Sequence, residues 1–451
     1  MIGNVWISER ETRAKESIAA AARAVSARAG IITGVTNPMI ELDDPRIFHA
    51  VASVTDTSRL YGNASALGNS GAGLTQNIAR ASAIGEALER YCCASYDTRS
   101  LIVSSFNELR LSGRKAVHPR DFPLYSETQY RRPEFIFHHF TEDVSITWTS
   151  GYSLVRDEPV LVPACLVYVP FKYDHSGDLI AFGVTTGLCC GRSRLEAILG
   201  GLYEVVERDA IMIMWMNQLP CRRIALGSGA RLSAIVEERF VPSGLGFYLN
   251  DITTDLPIPV AFASIIDRTR DGLAVAVGAA ANLDPEAAAL KALIEAAQGR
   301  RWLKLMNQQN AGLQFREDFR DVVSFDDHVR LFGSAAGISR LGFLIDGPEE
   351  IDIKSVKTKG SSTVKEDLKH CLTALAENGM DVVAVDVTLP DVAELGFSVV
   401  KVLIPGLIDI NADHNYPLLG GERLYTVPRR LGFVGHDTKE STLTKIPHPF
   451  P

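Results

Sequence analysis

Two short stretches of the sequence repeat one arrangement of charged side chains. Glu86, Glu89 and Arg90 are matched by Glu204, Glu207 and Arg208, each pair 118 residues apart. A third stretch carries Glu295 and Gln298, which keeps the spacing and replaces one carboxylate by an amide. A helix turns about 100° per residue, so positions three and four apart share a face. Ser82, Glu86, Glu89 and Arg90 then form one polar stripe. On the second helix Glu196 and Glu207 fall within about 20° of each other, and Glu204 within about 80° of Glu196. Grouped carboxylates suit Mg²⁺, which takes oxygen ligands and bridges phosphate oxygens. Arginines beside them suit bidentate contacts to phosphate. A single E-x-x-E-R is usually just a solvated, salt-bridged helix face, and Glu196 can equally be the acid of a capping box. Two matched triads plus a third related pair point instead to a Mg²⁺–nucleotide site.

Those side chains need three long helices to position them, each following a run of glycines and small residues. The helices are expected at about 75–95 after GNSGAG, 194–215 after TTGLCCG and 285–304 after AVGAAANL. Thr75 is the expected N-cap of the first, Ser193 with Glu196 the capping box of the second, and Asp284 before Pro285 the start of the third. Glycine-rich leads into helix N-termini also suit anions, because the first-turn N–H groups are free. The second helix is apolar around most of its circumference (Ile198, Leu199, Leu202, Val205, Val206, Ile211, Ile213), which predicts burial. Carboxylates on a buried helix must be paired or metal-bound. Further helices are expected at 14–28, with Ser17 inside, and at 363–379, closed by Gly379. Strands are expected around 159–169, 257–265, 272–278, 381–388 and 398–404, and loops from about 405. The fold class is therefore α/β (α+β), with mixed β-sheets and packed helices.

Composition narrows the function further. Of the 451 residues 46% are apolar and 22% charged, as in an ordinary globular chain. The net charge of −8 argues against a broad nucleic-acid-binding surface. No apolar stretch is long enough to span a bilayer and no secretory signal opens the chain, so cytoplasm is the expected compartment. The seven cysteines form no C-x-x-C pair and read as buried free thiols. No P-loop, Rossmann fingerprint, H-E-x-x-H or G-x-S-x-G occurs, so a nucleotide site must be built in another way.

The charged stretches resemble the YcaO family. GLTQNIARASAIGEALERY is similar to that family's S-x-x-x-E-x-x-E-R element. TTGLCCGRSRLEAILGGLYEVVERDA is similar to its second element, with Glu196 eight residues ahead of the Glu204, Glu207 and Arg208 group, and DPEAAALKALIEAAQGR to its third. DITTDLPIPV and VKVLIPGL resemble further family stretches in the expected order. The resemblance runs over about 60–410 and implies a P-loop-less ATP-binding fold. It implies an N-terminal segment of the same unit (1–60), a catalytic core (61–410) and a loop-rich C-terminal segment (411–451). In this resemblance Glu86, Glu89, Glu204, Glu207 and Glu295 hold Mg²⁺, and Ser82, Arg90, Glu196, Arg208 and Gln298 complete the ATP site. Arg300 and Ser17 are further expected nucleotide contacts. Family members often carry a Lys where this chain has Gly71-Ala72-Gly73. That charge then falls to Arg10, Arg13 or Lys15, or the contact is absent.

The sequence closes with Pro447-His448-Pro449-Phe450-Pro451. Alternating prolines impose a stiff extended strand, and by itself such an end reads as a disordered tail. Azoline-forming YcaO cyclodehydratases typically end in P-x-P-x-P, where the tail enters or shapes the active site and its free carboxylate matters. By that resemblance Pro447, Pro449 and Pro451 join the catalytic site. The implied reaction turns Cys, Ser or Thr of a ribosomally made precursor peptide into thiazoline or oxazoline, using ATP and Mg²⁺. A separate ubiquitin-activating-like protein is expected to bind the leader peptide, since no such region precedes the core. A flavin-dependent azoline dehydrogenase and a second copy of the chain are further expected partners. Thioamide- or macroamidine-forming YcaO enzymes and a non-catalytic scaffold subunit are the competing readings.

Overall fold

The small-residue stretches ahead of the three charged helices are β-strands. Their glycines are there because the helices lie almost on the strand backbone. A Cβ at Gly71 would stand 2.2 Å from the Ala83 nitrogen, and one at Gly278 would stand 2.4 Å from the Ala292 carbonyl oxygen. The computed structural model describes residues 2–58, 68–227, 229–269, 272–309, 314–347, 350–357 and 360–451.

Among these residues the helices of eight or more residues are α1 (Ile2–Ala21), α2 (Gln76–Ala94), α3 (Arg194–Asn217), α4 (Pro285–Gln309), α5 (Phe325–Gly333), α6 (Val364–Glu377) and α7 (Arg423–Arg430). The expected N-caps are in place, but the reciprocal half of the Ser193–Glu196 capping box is not, since Glu196 accepts from the Arg192 N–H instead. Thr75 accepts from the Ile78 N–H and Ser193 from the Glu196 N–H. Asp284 Oδ1 accepts from the N–H groups of Glu286 and Ala287.

Three sheets carry these helices. The first is β1 (Ile32–Thr36), β2 (Phe48–Val54) and β3 (Gly68–Gly73), all antiparallel. The second runs β4 (Ile102–Ser104), β5 (Ile146–Ser153), β13 (Val383–Asp386), β14 (Ser398–Leu403), β7 (Leu188–Gly191), with β6 (Glu158–Pro163) also on β5. The third runs β11 (Val275–Ala281), β10 (Val260–Ile266), β9 (Gly246–Asp251), β8 (Arg223–Ile224), β12 (Glu350–Ile351). Helix α2 packs on β2, β3 and β7, and α4 on β10 and β11. Helix α3 lies between the second and third sheets, touching β7, β14 and β11. That sandwich is why it is apolar nearly all round, and its residues join β10, β11 and β14 in the largest core.

Several expected strands are shorter than the sequence suggests, the one at 381–388 being reduced to Val383–Asp386. The strand expected over 159–169 ends at Pro163, where the chain turns through a 3₁₀ segment, Ala164–Leu166. The one expected from 257 begins at Val260, after Pro259, because proline cannot donate to the ladder. The N-terminal helix also starts earlier than expected, at Ile2, and ends at Ala21.

Candidate active site

The three charged helices bring their carboxylates to one place. Glu86 and Glu89 come from α2, Glu204 and Glu207 from α3, and Glu295 from α4. Glu86 and Glu89 both lie within the field of Glu204, and Glu207 within the fields of Glu295 and Glu204. Strand backbone orients several of them. The Cys190 N–H donates to Glu89 Oε1 at 2.7 Å, and the Gly187 N–H to Glu204 Oε2 at 3.0 Å. Gln298 Nε2 donates to the Ser70 hydroxyl at 2.7 Å, and the Ser70 backbone also bonds Glu86. So α4, β3 and α2 meet at one corner.

Crowding acids in a buried cleft has an electrostatic cost. Burial, opposed by Arg90 and the Cys190 backbone and reinforced by Glu86 and Glu204, pushes the Glu89 carboxyl up to about 8. Burial likewise pushes Glu207 up to about 8, with Arg208 opposing and Glu295 adding to the rise. Glu207 is 2% exposed, and its Oε1 has no hydrogen-bond partner among the described residues. Arg208 Nη1 stands 3.4 Å away as an ion pair. A buried carboxylate oxygen left without a bond is costly, and a hard cation would satisfy it. The donor set is all oxygen. These residues fit Mg²⁺, and Arg90 and Arg208, 3.4 Å from Glu86 and 3.7 Å from Glu204, stand ready for phosphate.

Other expected site residues lie at the margin. Ser82 is exposed on α2, one turn ahead of Glu86. Glu196 Oε2 accepts from the Arg192 N–H at 2.9 Å, so its carboxylate is engaged in the turn that opens α3. The Ser17 hydroxyl donates to the Arg13 carbonyl at 3.0 Å. Lys15 pairs with Glu11 at 3.8 Å, and Glu11 in turn accepts from Thr75 and Asn77, which ties α1 to the start of α2.

Arg300 departs from the expectation. Its side chain is 1% exposed, with Nε 3.0 Å from Asp44, Nη2 2.9 Å from Asp267, and Nη1 donating to the Leu273 carbonyl at 3.1 Å. A guanidinium so committed is a structural tie between α4 and two loops. Arg300→Ala should therefore destabilise the fold by about 3–5 kcal/mol, because Asp44 and Asp267 lose their buried partner. Thermal or denaturant unfolding measures this; an unchanged midpoint together with a raised KM for ATP would restore the phosphate contact.

Sequence reasoning missed two lysines and an aspartate. Lys291, one turn before Glu295, places Nζ 3.4 Å from Glu295 Oε1, and Glu295 first, then Glu207 and Glu204, raise its pKa. Lys401 is 1% exposed and donates to the Val184 carbonyl at 2.6 Å; burial lowers its pKa, while Asp409 and Glu204 oppose the fall. Asp409, raised by burial, accepts from the Thr186 hydroxyl and lies beside Lys401. A lysine in the middle of SVVKVL was the available signal, since a charge inside an apolar strand requires partners.

The family model described as YcaO cyclodehydratase, ATP- and Mg²⁺-binding, matches residues 70–408. An uncharacterized protein of Methanothermobacter thermautotrophicus is 28% identical over 354 residues, covering 76% of this chain and 82% of that one. A solved heterocyclase in complex with substrate and cofactor superposes with a TM-score of 0.79 at 23% identity, over 97% of this chain. This chain spans only 57% of that heterocyclase's length. YcaO from Methanopyrus kandleri, bound with AMPPCP and Mg²⁺, superposes with a TM-score of 0.62 at 21% identity, over 90% of this chain and 93% of that one. The solved structures share the mixed α/β fold. Among the described residues no helix is long and apolar enough to cross a membrane. With the family's residue pattern matched over most of its length, and a cleft of carboxylates and arginines suited to what that family binds, the chain belongs to the YcaO cyclodehydratases, which bind ATP and Mg²⁺.

Proposed function

We propose that the chain is a cyclodehydratase that converts Cys, Ser or Thr of a ribosomally made precursor peptide into thiazoline or oxazoline. The observation that carries this reading is the course of the C-terminal segment. The Thr444 N–H donates to the Met216 carbonyl at 2.8 Å, and Trp215 Nε1 to the Ile446 carbonyl at 3.0 Å. Pro447 to Phe450 are buried, and the Arg208 guanidinium lies 5.8 Å from the Phe450 ring centre. The tail thus runs back along α3, from its C-terminal end to Arg208. An alternating-proline strand is stiff enough to hold such a course. Pro447 and Pro449 shape the cleft wall in this reading, and Pro451 follows them at the surface.

The reaction begins when the side-chain thiol or hydroxyl of the peptide adds to the preceding carbonyl and loses its proton. The resulting oxyanion attacks the γ-phosphorus of ATP and ADP departs. Phosphate then leaves the ring carbon as the amide N–H loses its proton and the C=N bond forms. An amide oxygen is a poor leaving group and phosphate a good one, which is the reason ATP is needed. Mg²⁺ bound by Glu86, Glu89, Glu204, Glu207 and Glu295 supplies positive charge against the transferring phosphoryl group. Arg90 and Arg208 orient phosphate oxygens, with Ser82 and Gln298 at the edge of the nucleotide.

A leader-binding partner of the ubiquitin-activating-like kind presents the peptide in this reading. A flavin-dependent azoline dehydrogenase is a further member of the complex, and the chain pairs with a second copy of itself. The buried proline tail weighs against thioamide or macroamidine formation, and the intact carboxylate cluster weighs against a scaffold subunit.

Mass spectrometry on purified protein, partner, peptide, ATP and Mg²⁺ tests the assignment. Each ring should cost the peptide one water, with ATP consumed only when peptide and partner are both present. Exchange of an amide oxygen for sulfur would move the assignment to thioamide formation, and peptide-independent ATP consumption would remove it.

A further inference from the structure

The C-terminal segment is gripped by two histidines that the carboxylate chemistry leaves unused. His328 projects from α5, whose start is fixed by a capping box of Ser324 and Asp327. Its ring is fully buried and stacks on His448 with centroids 3.9 Å apart and planes 12° apart. His328 Nδ1 lies 2.7 Å from the His448 carbonyl oxygen, and Nε2 lies 3.1 Å from the Ala412 carbonyl oxygen. The His448 ring completes the grip: Nε2 lies 2.8 Å from the Asn411 carbonyl oxygen, and Nδ1 accepts from the Phe450 N–H at 3.3 Å.

Proton counting fixes the tautomer of His448. A neutral imidazole donates from one nitrogen only. His448 accepts at Nδ1, so its proton sits on Nε2 and goes to Asn411. Both nitrogens of His328 face carbonyl oxygens, and its shorter contact is the one to the tail. Burial keeps both rings neutral: it pushes His328 down to about 4 and His448 well below its ordinary value. The proline pattern explains why side chains are needed. Pro447, Pro449 and Pro451 have no N–H, so this stretch offers mostly acceptors and must be met by donors from outside. What the grip holds in place is Phe450, whose ring packs 5.7 Å from Phe262 and 5.8 Å from the Arg208 guanidinium.

We propose that His328 is the positioning residue of the reaction: donating from Nδ1 to the His448 carbonyl, it seats the proline tail so that Phe450 holds Arg208 toward the nucleotide. The assignment rests on the reading that the tail shapes this site. Three substitutions separate its parts. An Asn amide nitrogen falls near the place of Nδ1 and a Gln amide nitrogen near that of Nε2. Phe keeps the stacked ring without a donor.

Hydrogen exchange of the peptide covering 444–451 reads the seating directly, without any turnover. In His328→Phe and His328→Gln that peptide should exchange roughly tenfold to a hundredfold faster, as expected for one lost buried hydrogen bond, and His328→Asn should stay near native. In the reconstituted reaction the same order should appear in kcat, with KM for ATP changing by less than about threefold, since the carboxylates that bind Mg²⁺–ATP are untouched. A purely structural histidine would lower the melting temperature of all three variants alike and leave no Asn rescue. Should His328→Phe fail to fold, His328→Gln, which places its donor near Nε2 and removes the one to the His448 carbonyl, carries the same expectation. Native tail exchange in a folded Phe variant overturns the proposal. If the native protein dehydrates no peptide yet tail exchange follows the predicted order, the seating stands and the reaction assigned above falls.

Discussion

Glu207→Gln is expected to abolish peptide-dependent ATP consumption while raising the melting temperature of the nucleotide-free protein. Glutamine keeps the size of the side chain and removes its charge. In the free protein that charge is a liability, since burial and neighbouring acids push Glu207 up to about 8 and leave Oε1 without a hydrogen bond. With Mg²⁺–ATP bound as proposed above, the same charge would serve as a ligand to the cation. Loss of an anionic ligand where phosphoryl charge develops should lower kcat by at least about a hundredfold. Glu204→Ala should lose turnover by a similar factor, and it also leaves the Gly187 N–H without its acceptor. A solvated helix-face salt bridge would show neither effect, because exposed ion pairs contribute about 0–1 kcal/mol. Paired turnover and thermal-scan measurements decide between the two. Native turnover in Glu207→Gln would remove Mg²⁺ from this part of the cleft.

The cluster was legible because helix periodicity is a strong signal and the caps Thr75, Ser193 and Asp284 marked where each helix begins. From there the side of the helix that carries Glu86, Glu204 or Glu295 follows by rotation alone. The strand ahead of the first charged helix was not legible, for a physical reason. GNSGAG has no β-branched residue and no apolar alternation, because its side chains are trimmed to admit a helix rather than chosen to fill a sheet. The evidence for a strand at Gly71 lies in Ala79 and Ala83, a turn or more into the next helix. Arg300 shows the converse. It stands two residues beyond Gln298, yet a helix turns about 200° over that step, so it faces away from the cleft and into the fold. Its partners Asp44 and Asp267 are distant in sequence, and only packing brings them together. Lys401 and Asp409 escaped notice in the same way, since a pair eight residues apart across a strand end has no periodic signature.

Raised carboxylate pKa values also predict how stability should change with pH. The ordinary carboxylate value is 4.5, whereas Glu89 and Glu207 stand at about 8 in the folded protein. The folded state therefore binds more protons than the unfolded state between those values. The stability from this source is complete below 4.5 and is lost as pH rises through about 8. Buried histidines act in the opposite direction. His49 and His328 are pushed down to about 4, and His414 and His448 are also lowered from 6.5, so what they contribute is complete by about pH 7.5. Buried thiols share the carboxylates' sign but act only as pH passes their ordinary value of 9.0. The window of about pH 7.5 to 8.5 lies above the histidines and below the thiols, and Glu89 and Glu207 titrate within it. In EDTA the melting temperature should fall across that window; with Mg²⁺ and AMPPCP it should stay level, because bound cation holds the carboxylates ionised throughout. Combining Glu89→Gln with Glu207→Gln should level the EDTA curve as well. The same protonation must appear as protons released when Mg²⁺–AMPPCP binds near pH 7.5, measurable as a binding heat that depends on the ionisation enthalpy of the buffer. A level EDTA curve for the native protein, or a binding heat indifferent to buffer, would mean that the glutamates of α2 and α3 are already ionised without metal, and that the cleft does not store the charge on which its cation affinity depends.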